Sequence, residues 1–158
     1  MSMTVNPSVV DEAQFAVRRT IRIAAPIEKV WTAVTEPEHI SKWFGKAVFE
    51  GAGVGTRGTL TFDGYGTVPL RIEAIDAPHM VAYRWGNDDA LGELAAEVDP
   101  DHSTVFTFTL ESVAEGTQLT VVETGFETTS DPVANLEDHR TGWDSELDKL
   151  VALFEGGS

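Results

Sequence analysis

The sequence contains no cysteine. That excludes a disulfide framework, a thiolate metal site and a cysteine nucleophile. It has no continuous apolar run of the roughly 18 residues that a membrane-spanning helix needs, and Met1–Val10 carries no signal-peptide pattern. A soluble cytoplasmic chain without membrane insertion is expected. Basic residues are scarce: 11 Lys and Arg stand against 26 Asp and Glu, a formal net charge of −15. The acid is spread along the chain rather than held in one tail. Nucleic acid is excluded as a partner, because its binding needs clustered Lys and Arg, and anionic membrane surfaces are disfavoured likewise. A strongly solvated surface accounts for the charge; a basic protein partner is the sharper alternative. Catalytic motifs are missing too, with no His-Glu-x-x-His and no Gly-x-Ser-x-Gly. The four histidines, His39, His79, His102 and His139, form no local pair, so neither a metal site nor a cofactor is expected. Gly53–Gly58 spells G-x-G-x-x-G, but a dinucleotide site needs a helix after it. Thr59–Phe62 follows instead, alternating as a strand, and a hairpin loop explains the glycines.

What is present is a length that suits one domain, 158 residues. Residues 1–13 read as a disordered lead and residues 14–158 as a single domain. The rest of the chain is organised around Asp131 to Phe154. An acidic N-cap followed by Pro132 starts a helix. Leu136, Arg140, Trp143, Leu147, Leu150, Val151 and Phe154 then recur at helical spacing. Glu137, Thr141, Asp144 and Asp148 occupy the other face. The apolar stripe is interrupted at His139, Arg140 and Gly142. Either the helix bends or is wet there, or Gly142 leaves space for a cavity to which His139 or Arg140 supplies polar contacts.

Before that helix the period is mostly two. Phe15 to Ile23 reads as a strand whose alternation Arg19 breaks once. Two short helices follow, one with Val30, Trp31 and Val34, the other with Ile40, Trp43 and Phe44; Thr35 and Glu38 have the spacing of a capping box between them. Six strands come next, near Ala47–Phe49, Thr59–Phe62, Thr67–Ile75, Met80–Trp85, Ser103–Val113 and Thr117–Thr124. Short connections make them an antiparallel meander. Pro69 predicts an edge or a bulge within its strand. The acidic stretch Gly86–Asp101 breaks the rhythm and reads as a flap or extended hairpin tip, with one helical turn at Leu91–Ala96. Glu123 shares its parity with Leu119 and Val121, toward the core. It is either wet at the rim, paired with Arg140 or another base, or a carboxylate in a partly apolar pocket with a raised pKa, fit for acid or base work. Tyr83 and Trp85 share an inward face and are either plain core or lining of the same space.

Particular residues accompany this order: Ala25-Pro26 with Val30-Trp31, Thr35-Glu36-Pro37-Glu38, Trp43-Phe44-Gly45, Tyr83-Arg84-Trp85, Glu123-Thr124-Gly125-Phe126, and Gly142-Trp143 with Leu147 and Leu150. In these the chain resembles the START-like (SRPBCC) superfamily. Within it the chain is similar to bacterial proteins like the C-terminal domain of the heat-shock chaperone ATPase activator. The resemblance implies an α+β helix-grip fold, a curved antiparallel sheet wrapped around a long C-terminal helix with a cavity between them. It implies several functions without choosing among them.

The first expectation is a module that binds a small, mostly apolar molecule. Phe62, Tyr83, Trp85, Phe108 and Trp143 would supply apolar and stacking surface. Glu123, His139 and Arg140 would orient the ligand, Gly142 would leave room for it, and Trp43 would form part of the entrance. The second is a cyclase- or dehydratase-type enzyme acting on a polyketide-like substrate, with Glu123 or His139 moving the proton. The third, which rests on the resemblance, is a co-chaperone of the stress response that activates a chaperone ATPase. Homodimerisation is left open.

Overall fold

In the computed structural model the described residues are 7–11, 13–87 and 97–155. The chain runs β1 (Val9–Asp11), β2 (Ala16–Ile23), α1 (Ile27–Thr35), α2 (Pro37–Ile40), then β3 (Lys46–Phe49), β4 (Arg57–Phe62), β5 (Gly66–Asp76), β6 (Met80–Trp85), β7 (Thr104–Val113) and β8 (Gly116–Thr124). A short 3-10 turn (Phe126–Thr128) leads into α3 (Pro132–Glu155). The strands form one antiparallel sheet in the order β1-β2-β8-β7-β6-β5-β4-β3. This is the α+β helix-grip arrangement, a curved sheet with one long helix against it. The six strands β3 to β8 are a meander, each pairing antiparallel with the next. No helix among the described residues is long and apolar enough to cross a membrane.

Alternation decides which side chains meet the helix. Leu119, Val121 and Glu123 of β8 are all fully buried, as are Phe106, Phe108 and Leu110 of β7. On α3 the buried residues are Asn135, Leu136, His139, Trp143, Leu147 and Leu150. Asp131 caps this helix, its Oδ1 accepting the N–H of Ala134 at 3.2 Å.

Arg19, the residue that breaks the β2 alternation, faces inward and is only 2% exposed. Its guanidinium donates to the carbonyls of Trp143 (3.3 Å) and Asp144 (2.9 Å) and to Asp148 Oδ1 (2.7 Å). Asp144 and Asp148 therefore flank the contact with β2 rather than forming a purely solvent-facing stripe. A buried guanidinium survives here because acceptors meet it from one turn of helix.

Four expectations are corrected. The lead is not wholly irregular: Val9–Asp11 pair with Ala16–Arg18 as an edge strand, and the Ser8 N–H donates to Asp144 Oδ1 at 2.7 Å. A three-residue strand is too short to show a period. The capping box does not form. Thr35 ends α1 and donates back to the Trp31 carbonyl at 2.6 Å, while α2 starts without a side-chain cap. Pro69 lies on an interior strand, opposite Thr59, and the register shift of β5 falls later, between Ile72 and Ala74. Proline is tolerated because its N–H would face the chain just past the end of β6, where Gly86 donates to the Pro69 carbonyl. The first long strand starts at Ala16, since Phe15 has a left-handed backbone with φ of 49°. The helical turn expected at Leu91–Ala96, and most of the expected flap, lie outside the described residues.

Candidate functional site

The site is built where three elements end together. β6 stops at Trp85, β7 starts at Thr104 opposite it, and Glu123 lies near the end of β8 opposite Phe106. α3 passes over this corner with His139 and Trp143, four residues apart and thus on one face. The consequence is a fully buried carboxylate ringed by donors. Glu123 Oε1 accepts from His139 Nδ1 at 2.8 Å and Trp143 Nε1 at 2.8 Å. Its Oε2 accepts from Thr104 Oγ1 at 2.5 Å and Trp85 Nε1 at 2.8 Å. The Trp85 indole N–H is shared with Thr104 Oγ1 at 2.9 Å.

Burial alone would push the Glu123 carboxyl up, but the facing His139 and the hydrogen bonds from His139, Thr104 and Trp85 outweigh it and hold the group below the ordinary glutamate range. His139 is equally constrained. Its other nitrogen, Nε2, lies 2.9 Å from the Asn87 carbonyl. Neither an ionised carboxylate nor a carbonyl can donate, so the ring that makes both bonds carries a proton on each nitrogen. Glu123 and His139 thus form a buried ion pair with further donors on the carboxylate, the condition under which burying charge is tolerated.

Above this pair opens a cleft of about 260 Å³, lined by Phe44, Phe62, Tyr65, Trp85, Asn87, Asp138, His139, Gly142, Trp143 and Glu146. The β4–β5 hairpin supplies Phe62 and Tyr65; α3 supplies the wall from Asp138 to Glu146. The Tyr65 hydroxyl donates to Asn87 Oδ1 at 2.6 Å, so Asn87 is held by Tyr65 on one side and His139 on the other. At Gly142 a Cβ would meet nothing within 4 Å. Among the described residues, no group of three or more His, Asp or Glu could hold a metal ion.

The deeper space between sheet and helices is filled. Only about 10 Å³ is left among Val34, Ile40, Trp43, Phe44, Tyr83, Phe106, Phe108 and their neighbours. The rings pack edge-on and stacked, with Trp43 on Phe44 at 4.9 Å and Trp85 on Phe106 at 4.6 Å between centroids.

Of the residues singled out in the sequence, Phe62, Trp85, His139, Gly142 and Trp143 therefore line one cleft, with Glu123 directly beneath it. Four others do not join them. Trp43 is not at an entrance; it is 3% exposed and its Nε1 donates to the Ala33 carbonyl at 2.8 Å. Tyr83 is core, its hydroxyl donating to the Val34 carbonyl at 2.6 Å, and Phe108 packs beside it. Arg140 is rotated off the buried face and pairs with Glu137 on the surface, with Asp144 at 3.7 Å. It does not line the cleft and does not partner Glu123; His139 does the latter, and the raised pKa envisaged for Glu123 is reversed.

Sequence reasoning missed Thr104, Asn87, Tyr65, Phe44, Asp138 and Glu146. Thr104 has the parity of Phe106 and Phe108, and Glu146 follows Trp143 by one helical turn; both were within reach of periodicity. Tyr65 and Asn87 stand in connections where no period applies.

Comparison with known proteins bears on the family and the fold. The family model for "Activator of Hsp90 ATPase homolog 1-like protein" matches residues 24–155. Among solved structures, protein MLL2253 from Mesorhizobium loti is 28% identical with a TM-score of 0.74, over 90% of this chain and 98% of that one. DynU16, described as a putative protein in the dynemicin biosynthetic locus, is 23% identical with a TM-score of 0.72, over 90% of this chain and 48% of that one. CalU16 from Micromonospora echinospora is 20% identical with a TM-score of 0.64, over 92% of this chain and 81% of that one. No curated protein matches the chain in sequence. The two less identical structures speak for the fold alone. With the family model spanning nearly the whole described domain, the chain belongs to the family of activator of Hsp90 ATPase homolog 1-like proteins, within the START-like superfamily.

Proposed function

We propose that the protein binds a small, mostly apolar molecule in the cleft between the β4–β5 hairpin and α3. The observation that carries this is the vacancy itself. The aromatic core around Trp43, Tyr83 and Phe108 packs down to about 10 Å³ of space, whereas this corner leaves about 260 Å³. It does so beside a helix position, Gly142, that has no side chain to fill it. Since a dry cavity of about 150 Å³ holds benzene, this one suits one or two fused rings. Phe62, Trp85 and Trp143 offer faces to stack on, and His139 is a polar group at the base. Both tryptophans report binding, so a small-molecule screen by intrinsic fluorescence is the direct test. Gly142→Leu should abolish binding of any hit while leaving the fold intact by circular dichroism; unchanged affinity in that variant would remove the assignment.

A second reading, a cyclase- or dehydratase-type enzyme, is supported by one observation. His139 lines the cleft and is backed by an ionised Glu123, so its Nε2 proton, held by the Asn87 carbonyl, could pass to a substrate group that displaces that carbonyl. Turnover of a screening hit that survives both Glu123→Gln and His139→Ala would reject it. A chaperone partner, suggested only by the family description, is tested by pull-down with Hsp90; no stable complex is expected.

A further inference from the structure

The lining of the cleft has a sign. Among its described residues three side chains carry charge: Asp138, His139 and Glu146. The positive one is already spent, because its two N–H groups are committed to Glu123 and to the Asn87 carbonyl, and Glu123 cancels its charge. Among the described lining residues no further cation faces the two carboxylates. Glu146 sits with its side chain only 19% exposed. Its Oε1 is buried. Lys149, from outside the lining and itself half exposed, pairs with that oxygen at 2.9 Å. Burial pushes the Glu146 carboxyl above the ordinary glutamate range, against the pull of Lys149. A carboxylate in this position gains from a further cation beside it. The rings of Phe44, Phe62, Tyr65, Trp85 and Trp143 add to the preference, since aromatic faces attract cations and repel anions. The field of a chain with net charge −15 points the same way.

We infer that the molecule bound in the cleft is a cation, an apolar ring body carrying a protonated amine that meets Glu146 and Asp138 over the aromatic walls. The inference rests on the ligand-binding reading of the same cleft and deepens it by naming the ligand's charge. An anionic ligand would have to place its charge against two carboxylates with His139, the one cation among the described lining residues, already engaged.

Three probes of one shape separate charge from shape: 2-naphthylmethylamine, 2-naphthalenemethanol and 2-naphthoic acid, titrated at pH 7 against tryptophan fluorescence and by calorimetry. The amine should bind about five- to tenfold more tightly than the alcohol, and the acid most weakly. The amine-to-alcohol ratio should fall toward one in Glu146→Gln, and further in Glu146→Gln with Asp138→Asn. Both positions are partly exposed, so the fold is retained, and circular dichroism verifies it. Raising salt should weaken the amine more than the alcohol. Equal affinity for all three probes, a preference for the acid, or an amine preference that persists in the double variant overturns the inference while the cleft reading stands. Binding of all three that is unchanged in Gly142→Leu, or binding of none, overturns the cleft reading and the charge preference with it.

Discussion

Replacing Glu123 by Gln asks how much of the domain's stability hangs on the buried carboxylate. In the native protein four donors converge on its two oxygens. Gln keeps the shape but turns one oxygen into a donor. The amide nitrogen cannot occupy the Oε1 position, where His139 and Trp143 both donate. It must take the Oε2 position, where Thr104 can rotate its hydroxyl to accept and Trp85 keeps Thr104 as partner at 2.9 Å. The variant thus loses one or two charge-assisted bonds and strands the His139 charge without its counter-ion. At about 1.5–3 kcal/mol for a bond to a charged group, the net loss is about 2–4 kcal/mol. Glu123→Leu, which orphans the His139 and Trp143 donors outright, should reach about 3–5 kcal/mol. For a domain of this size Glu123→Gln then lowers Tm by roughly 5–15 °C. The pH dependence follows from the depressed carboxyl of Glu123. A folded-state pKa below the unfolded one adds stability that is present above the unfolded value, the ordinary glutamate pKa, and is lost as pH falls through the folded one. The gap between wild type and Glu123→Gln in urea unfolding should therefore be widest near neutrality and narrow in acid. An unchanged urea midpoint at pH 7, or a gap that grows on acidification, would refute the placement of an ionised Glu123 among these donors.

Further outcomes can be checked in the same assays. Gly142→Ala should stabilise the protein by about 0.5–1 kcal/mol, because it removes a helix-interior glycine where the new Cβ meets nothing within 4 Å; urea midpoints measure this, and a loss would mean the position is crowded. Arg19→Met should cost about 1–3 kcal/mol in unfolding free energy, leaving the carbonyls of Trp143 and Asp144 and the half-exposed Asp148 without their shared donor. Tyr83→Phe should cost about 1–2 kcal/mol through the lost bond to the Val34 carbonyl. It should leave the affinity of any cleft ligand unchanged, which a fluorescence titration decides.

The architecture was legible because its signals are periodic or local. Strand alternation gave the meander, and Asp131-Pro132 the start of α3. A sheet one residue out of register would have put Leu119, Val121 and Glu123 in water. The single break at Arg19 was visible, but its meaning was not: an inward arginine becomes intelligible only when the helix carbonyls and Asp148 are seen facing it. The choice between His139 and Arg140 was ambiguous for a geometric reason. From Leu136 the buried stripe can step by three or by four, and either step leads on to Trp143. The structure steps to His139, and one residue of helix turns Arg140 away to the surface. Trp43 and Tyr83 looked like lining because parity says inward but not how far inward, and each spends its polar atom on a neighbouring main-chain carbonyl. The Glu123 network joins β6, β7, β8 and α3, and no spacing within one segment could have announced it.

The strand order carries a consequence for how the chain comes together during synthesis. β2 emerges early, yet its only long partner is β8, with Thr20 and Thr120 joined across a sequence separation of 100 residues. The strands from β3 to β8 can zip neighbour to neighbour as they leave the ribosome, whereas β2 must wait with an open edge for nearly the whole chain. Closing a loop of that length costs on the order of 4 kcal/mol in chain entropy. The seam between the second strand and the last is therefore the slow, topologically expensive step of folding. The waiting strand also carries Arg19, which binds α3, so the sheet and its helix are secured by the same late event.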